Sequence, residues 1–148
     1  MKYRYSVAAG QTNTNGRYTK RPIVEIELSR GNQTRKFLAL VDSGADQIHM
    51  PAAIAEVFGI NRDECPRRAS MGITMEHIDG FVAELTFRIE NQTETFNAPI
   101  VFIDTDLPVL LGREGFFDRY RIKFEQDHDT FEITPAKNVA QYAHDAHA

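Results

Sequence analysis

A chain of 148 residues, 42% hydrophobic and 26% charged, has the size and balance of one folded globular domain with room for a core. A formal net charge of -4 argues against nucleic acid as the main partner, and no apolar run reaches membrane-spanning length. The single cysteine, Cys65, excludes an intrachain disulfide, and Met1-Lys-Tyr-Arg-Tyr5 lacks the apolar core of a signal peptide, so a reducing cytoplasm is the expected setting.

Tyr3 to Ala8 reads as a first strand and Gly10 to Thr19 as a polar loop rich in Gly, Asn and Thr. Residues 1–20 thus form an N-terminal strand and loop, 21–135 the main domain, and 136–148 a polar, Ala/His-rich tail expected to fray. Arg21 to Leu28 alternates with one apolar side, and Gly31-Asn32 marks a hairpin turn into the next strand. That strand, Phe37-Leu-Ala-Leu-Val41, is five apolar residues in a row and is expected to be buried on both faces. It stops at Asp42-Ser43-Gly44. A carboxylate at the end of a core strand is costly unless it is paired or used, and Gly44 lets the backbone turn without a Cβ in the way.

Pro51 to Phe58, followed by Gly59, predicts a helix of about two turns with Ile54, Val57 and Phe58 on one face. Asn61 to Ser70 reads as an exposed connection, with Arg67-Arg68, like Arg119 and Arg121, a basic spot on a solvated face. Ala69 to Ile78 and Phe81 to Ile89 predict a hairpin, with Gly72 and Asp79-Gly80 as turn or bulge points. Thr95 to Ile103 is the next strand, and Asp104 to Pro108 a loop. Val109-Leu-Leu111 is a second short apolar strand, ended by Gly112-Arg113, and Glu114 to Tyr120 predicts a short helix with Phe116 and Phe117 inward. Arg121 to Phe124 and Thr130 to Ile133 close the domain as a hairpin. A weak repeat is visible: Ile23 to Asp42 and Phe81 to Pro108 both run strand, Asn-Gln-Thr turn, strand, aspartate loop, each followed by proline.

Leu40-Val-Asp-Ser-Gly-Ala-Asp46 resembles the active-site motif of aspartic peptidases, and its Ala-Asp is closer to the retroviral type than to the pepsin type. Val109-Leu-Leu-Gly-Arg113 with the segment after it resembles the element that crosses behind that loop in retroviral-type enzymes. The resemblance spans roughly 23–135 and implies a mainly β, partly open six-stranded acid-protease barrel with one or two short helices. It implies Asp42 as the catalytic carboxylate, supported by Ser43, Gly44, Ala45, Asp46 and Arg113. Ser43 would lock two loops across a dimer axis, and Gly44 and Asp46 would contact a polypeptide substrate in extended conformation. Arg113 would pair with Asp46, a partnership that a planar guanidinium and a partly buried carboxylate also favour on physical grounds. Met71, Gly72, Ile73, Thr74 and Met75 are the flap candidates, although one glycine is fewer than retroviral flaps carry.

The chemistry so implied needs two carboxylates sharing one proton, whose titrations belong to the pair. The chain contains one Asp-[Ser/Thr]-Gly, so the second Asp42 must come from a second copy in an isologous homodimer. The expected activity is therefore that of an aspartic endopeptidase, a cofactor-free hydrolase. The histidines, His49, His77, His128, His144 and His147, show no His-Glu-x-x-His spacing, so no metal is expected, and Gly-x-Ser-x-Gly is absent. The alternative is a retropepsin-like domain that dimerises or binds peptides without cleaving them.

Overall fold

The structure, a computed structural model, describes residues 1–71 and 77–136. Its elements are β1 (Lys2–Arg4), β2 (Ser6–Thr12), β3 (Tyr18–Arg21), β4 (Ile23–Arg30), β5 (Gln33–Val41), β6 (Ile48–Pro51), α1 (Ala52–Val57), β7 (Arg67–Met71), β8 (His77–Ile89), β9 (Thr95–Ile103), β10 (Val109–Leu111), β11 (Tyr120–Glu125) and β12 (Thr130–Pro135).

Period-two alternation drives the architecture. In β4, Val24, Ile26 and Leu28 point into the core while Glu25 and Glu27 point out. The two hairpins β4–β5 and β8–β9 do the same, and together with β10 and β6 they close a mixed barrel in the order β4-β5-β10-β6-β9-β8, sealed by β4 pairing with β8. Closure removes the barrel's own free edges, with β7 added outside on β8. The weak sequence repeat is realised in the pairing. β5 lies parallel to β10 as β9 lies parallel to β6, and the halves meet where Leu110 faces His49 across an antiparallel contact. The expected mainly β, six-stranded barrel is what the chain forms.

Phe87, Phe102 and Phe116 fill the interior with Ile26, Leu28, Ile48 and Met50, and no charged or polar side chain is buried among the described residues. A separate three-stranded sheet forms in the order β1-β12-β11, with β12 in the middle. Tyr3 stacks on Phe131 at 5.4 Å and donates its hydroxyl to the Glu90 carbonyl at 2.6 Å. No helix among the described residues is long and apolar enough to cross a membrane.

Several expectations are corrected. β5 is buried on one face: Ala39 and Val41 face the core, whereas Leu38 is 65% exposed, because a barrel strand has only one inner side. The polar stretch 10–19 belongs mostly to a ribbon of β2 against β3, turning at Asn13 to Gly16. Its outward position hides the usual alternation of burial. Asp79-Gly80 is strand interior rather than a turn. A Cβ on Gly80 would sit 2.8 Å from the Phe102 carbonyl, so glycine lets β8 press against β9. The expected helix at 114–120 is a single kinked turn, Arg113–Phe117. Gly115 adopts φ +89 there, yet Phe116 still reaches the core and Phe117 packs partly against it. In α1 the buried face is Ala52, Ile54 and Ala55, while Val57 is 43% exposed.

Candidate active site

β5 delivers Asp42 to the barrel rim, and hydrogen bonds on three sides hold it there. The Asp42 N–H donates to the Leu111 carbonyl (3.1 Å), the Ala45 N–H to the Asp42 carbonyl (3.3 Å), and the Gly44 N–H to the Asp42 carboxylate Oδ1 (2.9 Å). The last bond orients the carboxylate from its own loop, as an Asx turn does. Asp42 itself is half-buried, while Ser43 and Gly44 are exposed.

The stretch after β10 supports this loop from behind. Arg113 N–H donates to the Ala45 carbonyl and Glu114 N–H to the Asp46 carbonyl, both at 2.8 Å. These contacts satisfy backbone groups that a tight loop would otherwise leave unpaired. Gly112 makes the approach possible: a Cβ there would overlap the Gln47 carbonyl oxygen and sit 2.7 Å from that of Ala45. Its φ of -97 is ordinary, so the requirement is for space and not for a special dihedral.

Arg113 and Asp46 come together as expected, but not as a buried bidentate pair. One contact of 3.7 Å joins Nη1 to Oδ1, and the two side chains are 67% and 77% exposed. The loop lies on the surface of the single chain, where such a pair contributes little. On the other half of the barrel, Asp104 follows β9 as Asp42 follows β5. Arg62 clamps it with two hydrogen bonds of 3.0 and 3.1 Å, which lower the Asp104 carboxyl and raise the guanidinium. Asp104 therefore acts as an ion-pair partner within the repeat and not as a second Asp-Ser-Gly carboxylate.

A cleft of about 440 Å³ opens beside the loop, with Asp42, Gly44, Ala45 and Asp46 in its lining. Its remaining wall is largely apolar, including Met50, Ile78, Ile103 and Leu110. Two charged or titratable residues of this wall escaped the sequence reading. His49, considered only for metal spacing, projects from β6 between Ile48 and Met50, which face the core; alternation alone places it on the opposite face. Burial pushes its pKa down and the Arg68 charge adds to that effect, against the pull of Asp46 and Asp42. Arg68, read as a solvated basic spot, also lines the cleft from β7.

β7 and β8 form a hairpin paired up to Met71 opposite His77, so 77–78 belong to the same strand as 81–89 and not to the opposite arm expected from the sequence. Of the flap candidates, Met71 ends β7, and Gly72, Ile73, Thr74 and Met75 lie outside the described residues. Among the described residues no cluster of three or more His, Cys, Asp or Glu side chains could hold a metal ion.

No family model and no curated protein matches the sequence. Among solved structures, the crystal structure of a retropepsin-like aspartic protease from Rickettsia conorii is similar over 88% of this chain and 95% of that chain, with a TM-score of 0.53 and 18% identity. At that identity the likeness speaks for architecture alone, and the architecture is plain: the chain has the retropepsin-like fold, a closed six-stranded mixed barrel.

Proposed function

We propose that the chain is an aspartic endopeptidase, acting as a homodimer in which each protomer contributes one Asp42. The observation that carries this reading is the Asp42 carboxylate itself, oriented by the Gly44 N–H at the mouth of a mostly apolar cleft. In the reaction, one ionised Asp42 takes a proton from a water whose oxygen attacks the scissile carbonyl carbon. The other, protonated, gives its proton to the carbonyl oxygen. Collapse of the tetrahedral intermediate breaks the C–N bond as the amine takes a proton from the dyad, leaving an acid and an amine. Exposed Ser43 and Asp46 are then the loop's contacts with the second copy and with an extended polypeptide. The single cysteine suits a cytoplasmic setting.

A second reading is peptide binding without cleavage, favoured by one fact: the cleft exists in a single protomer and needs no partner to form. Asp42→Asn separates the two. It keeps the shape and removes the ionisable group, so cleavage of an unfolded polypeptide such as casein should vanish while the dimer persists. Mixed dimers with one Asn should also be nearly inactive. Undiminished turnover by Asp42→Asn, purified free of host peptidases, would refute the catalytic assignment.

A further inference from the structure

Arg68 stands apart among the cations near the cleft. Arg62 is committed to Asp104, and Arg113 lies against Asp46. The Arg68 guanidinium enters no ion pair or hydrogen bond with any described residue, although it lines the cleft. Its cross-strand neighbour on β8 is Gly80, so no side chain stands opposite it on that face. Among the described residues, the charged and titratable groups that share the cleft with it are His49 from β6 and Asp42 and Asp46 from the loop. Most of the remaining wall, including Ala69, Ile78 and Ile103, is apolar, with Gln47 and Thr105 its uncharged polar members.

Each of the other charges has a use. Asp46 has Arg113 against it, Asp42 is reserved for the shared proton, and His49 is biased towards its neutral form by burial. Among the described residues, a polypeptide lying in the cleft therefore meets one uncommitted positive charge, set in a mostly apolar wall. We infer that Arg68 makes the cleft selective for polypeptides that present an acidic side chain next to an apolar one. The acidic group pairs with the guanidinium, and its apolar neighbour fills the space beside Ile78 and Ile103. This inference rests on the peptidase reading for its substrate class. Because Arg68 is exposed, the selectivity is a matter of several-fold and is screened by salt.

The test is cleavage-site profiling of a mixed peptide library by mass spectrometry with wild type, Arg68→Ala and Arg68→Glu. Wild type should enrich Asp and Glu over Ala at one subsite by about three- to tenfold. Arg68→Ala should flatten that subsite, and Arg68→Glu should turn it towards Lys and Arg. A merely structural arginine would lower all rates together and could not reverse the preference. Cleavage by wild type without acidic enrichment, or the same enrichment in Arg68→Glu, overturns the inference. Binding keeps the two proposals distinguishable. Fluorescence anisotropy of matched Glu- and Lys-containing peptides is measured on Asp42→Asn, alone and combined with Arg68→Glu. If wild type cleaves nothing but binding discriminates and reverses, charge selection stands and the peptidase reading falls. If neither cleavage nor binding discriminates, the charge selection is wrong.

Discussion

His49 shows how one side chain ties the cleft to pH. Its folded pKa lies below the ordinary 6.5, chiefly because burial penalises the imidazolium. The unfolded chain therefore binds more protons than the folded one between that lowered value and about 6.5, and stability falls as pH falls through this window. Urea denaturation at pH 7 and pH 5 should show a smaller loss for His49→Gln, which cannot titrate, than for wild type; equal losses would mean that His49 is freely solvated. The residues that were legible in the sequence are those whose meaning is local. Asp42, Ser43 and Gly44 follow one another, and their hydrogen bond spans two positions. His49 and Arg68 were not, because membership of the cleft wall depends on which strand ends up opposite which. The partnership of Arg113 and Asp46 was readable too, but its exposure was not, since that depends on what lies outside the loop.

Among the elements, the meeting of β10 with the Asp42 loop is the tightest. Gly112→Ala puts a methyl group where the Gln47 carbonyl oxygen already sits, so either the loop or β10 must move. We expect a loss of about 3 kcal/mol in chemical denaturation and a fall in activity beyond what stability explains, because the displaced loop carries Asp42. Gly31→Ala is the control: φ there is +59 with nothing within 4 Å of a Cβ, so the cost is dihedral strain of about 1 kcal/mol and activity should hold. A Gly112→Ala protein as stable as Gly31→Ala would show that the loop yields freely. Strands with one wet face were readable from alternation, as in β4 and β8. The β2–β3 ribbon was not, because it buries almost nothing, and the turn at Gly115 was not, because a kink at a glycine packed close to Ala98 and Ile48 leaves no local periodicity.

At the scale of the whole molecule, the barrel is complete and the proposed catalytic centre is not. The sheet closes on itself within one chain, while the chain carries one Asp-Ser-Gly and the corresponding Asp104 is held by Arg62. Specific activity should therefore rise with protein concentration until the dimer saturates, and sedimentation should follow the same midpoint. A species that remains monomeric at every concentration and still cleaves would overturn the shared centre. The barrel was legible through the resemblance carried by Asp42-Ser43-Gly44 and Gly112-Arg113; the weak strand repeat agrees with it but has too few identical residues to give closure by itself.

The pairing of β1 with β12 sets an order on how the chain is finished. Tyr3 meets Phe131, and the Ile133 N–H donates to the Met1 carbonyl at 2.9 Å, so the opening residues have no strand partner until nearly the whole domain has been made. At ribosomal rates of roughly 5–20 residues per second, that interval is on the order of ten seconds. During it the Tyr3 ring has no Phe131 to stack on. Translation speed and chaperone access, rather than the stability of the finished barrel, govern the hazard of that interval.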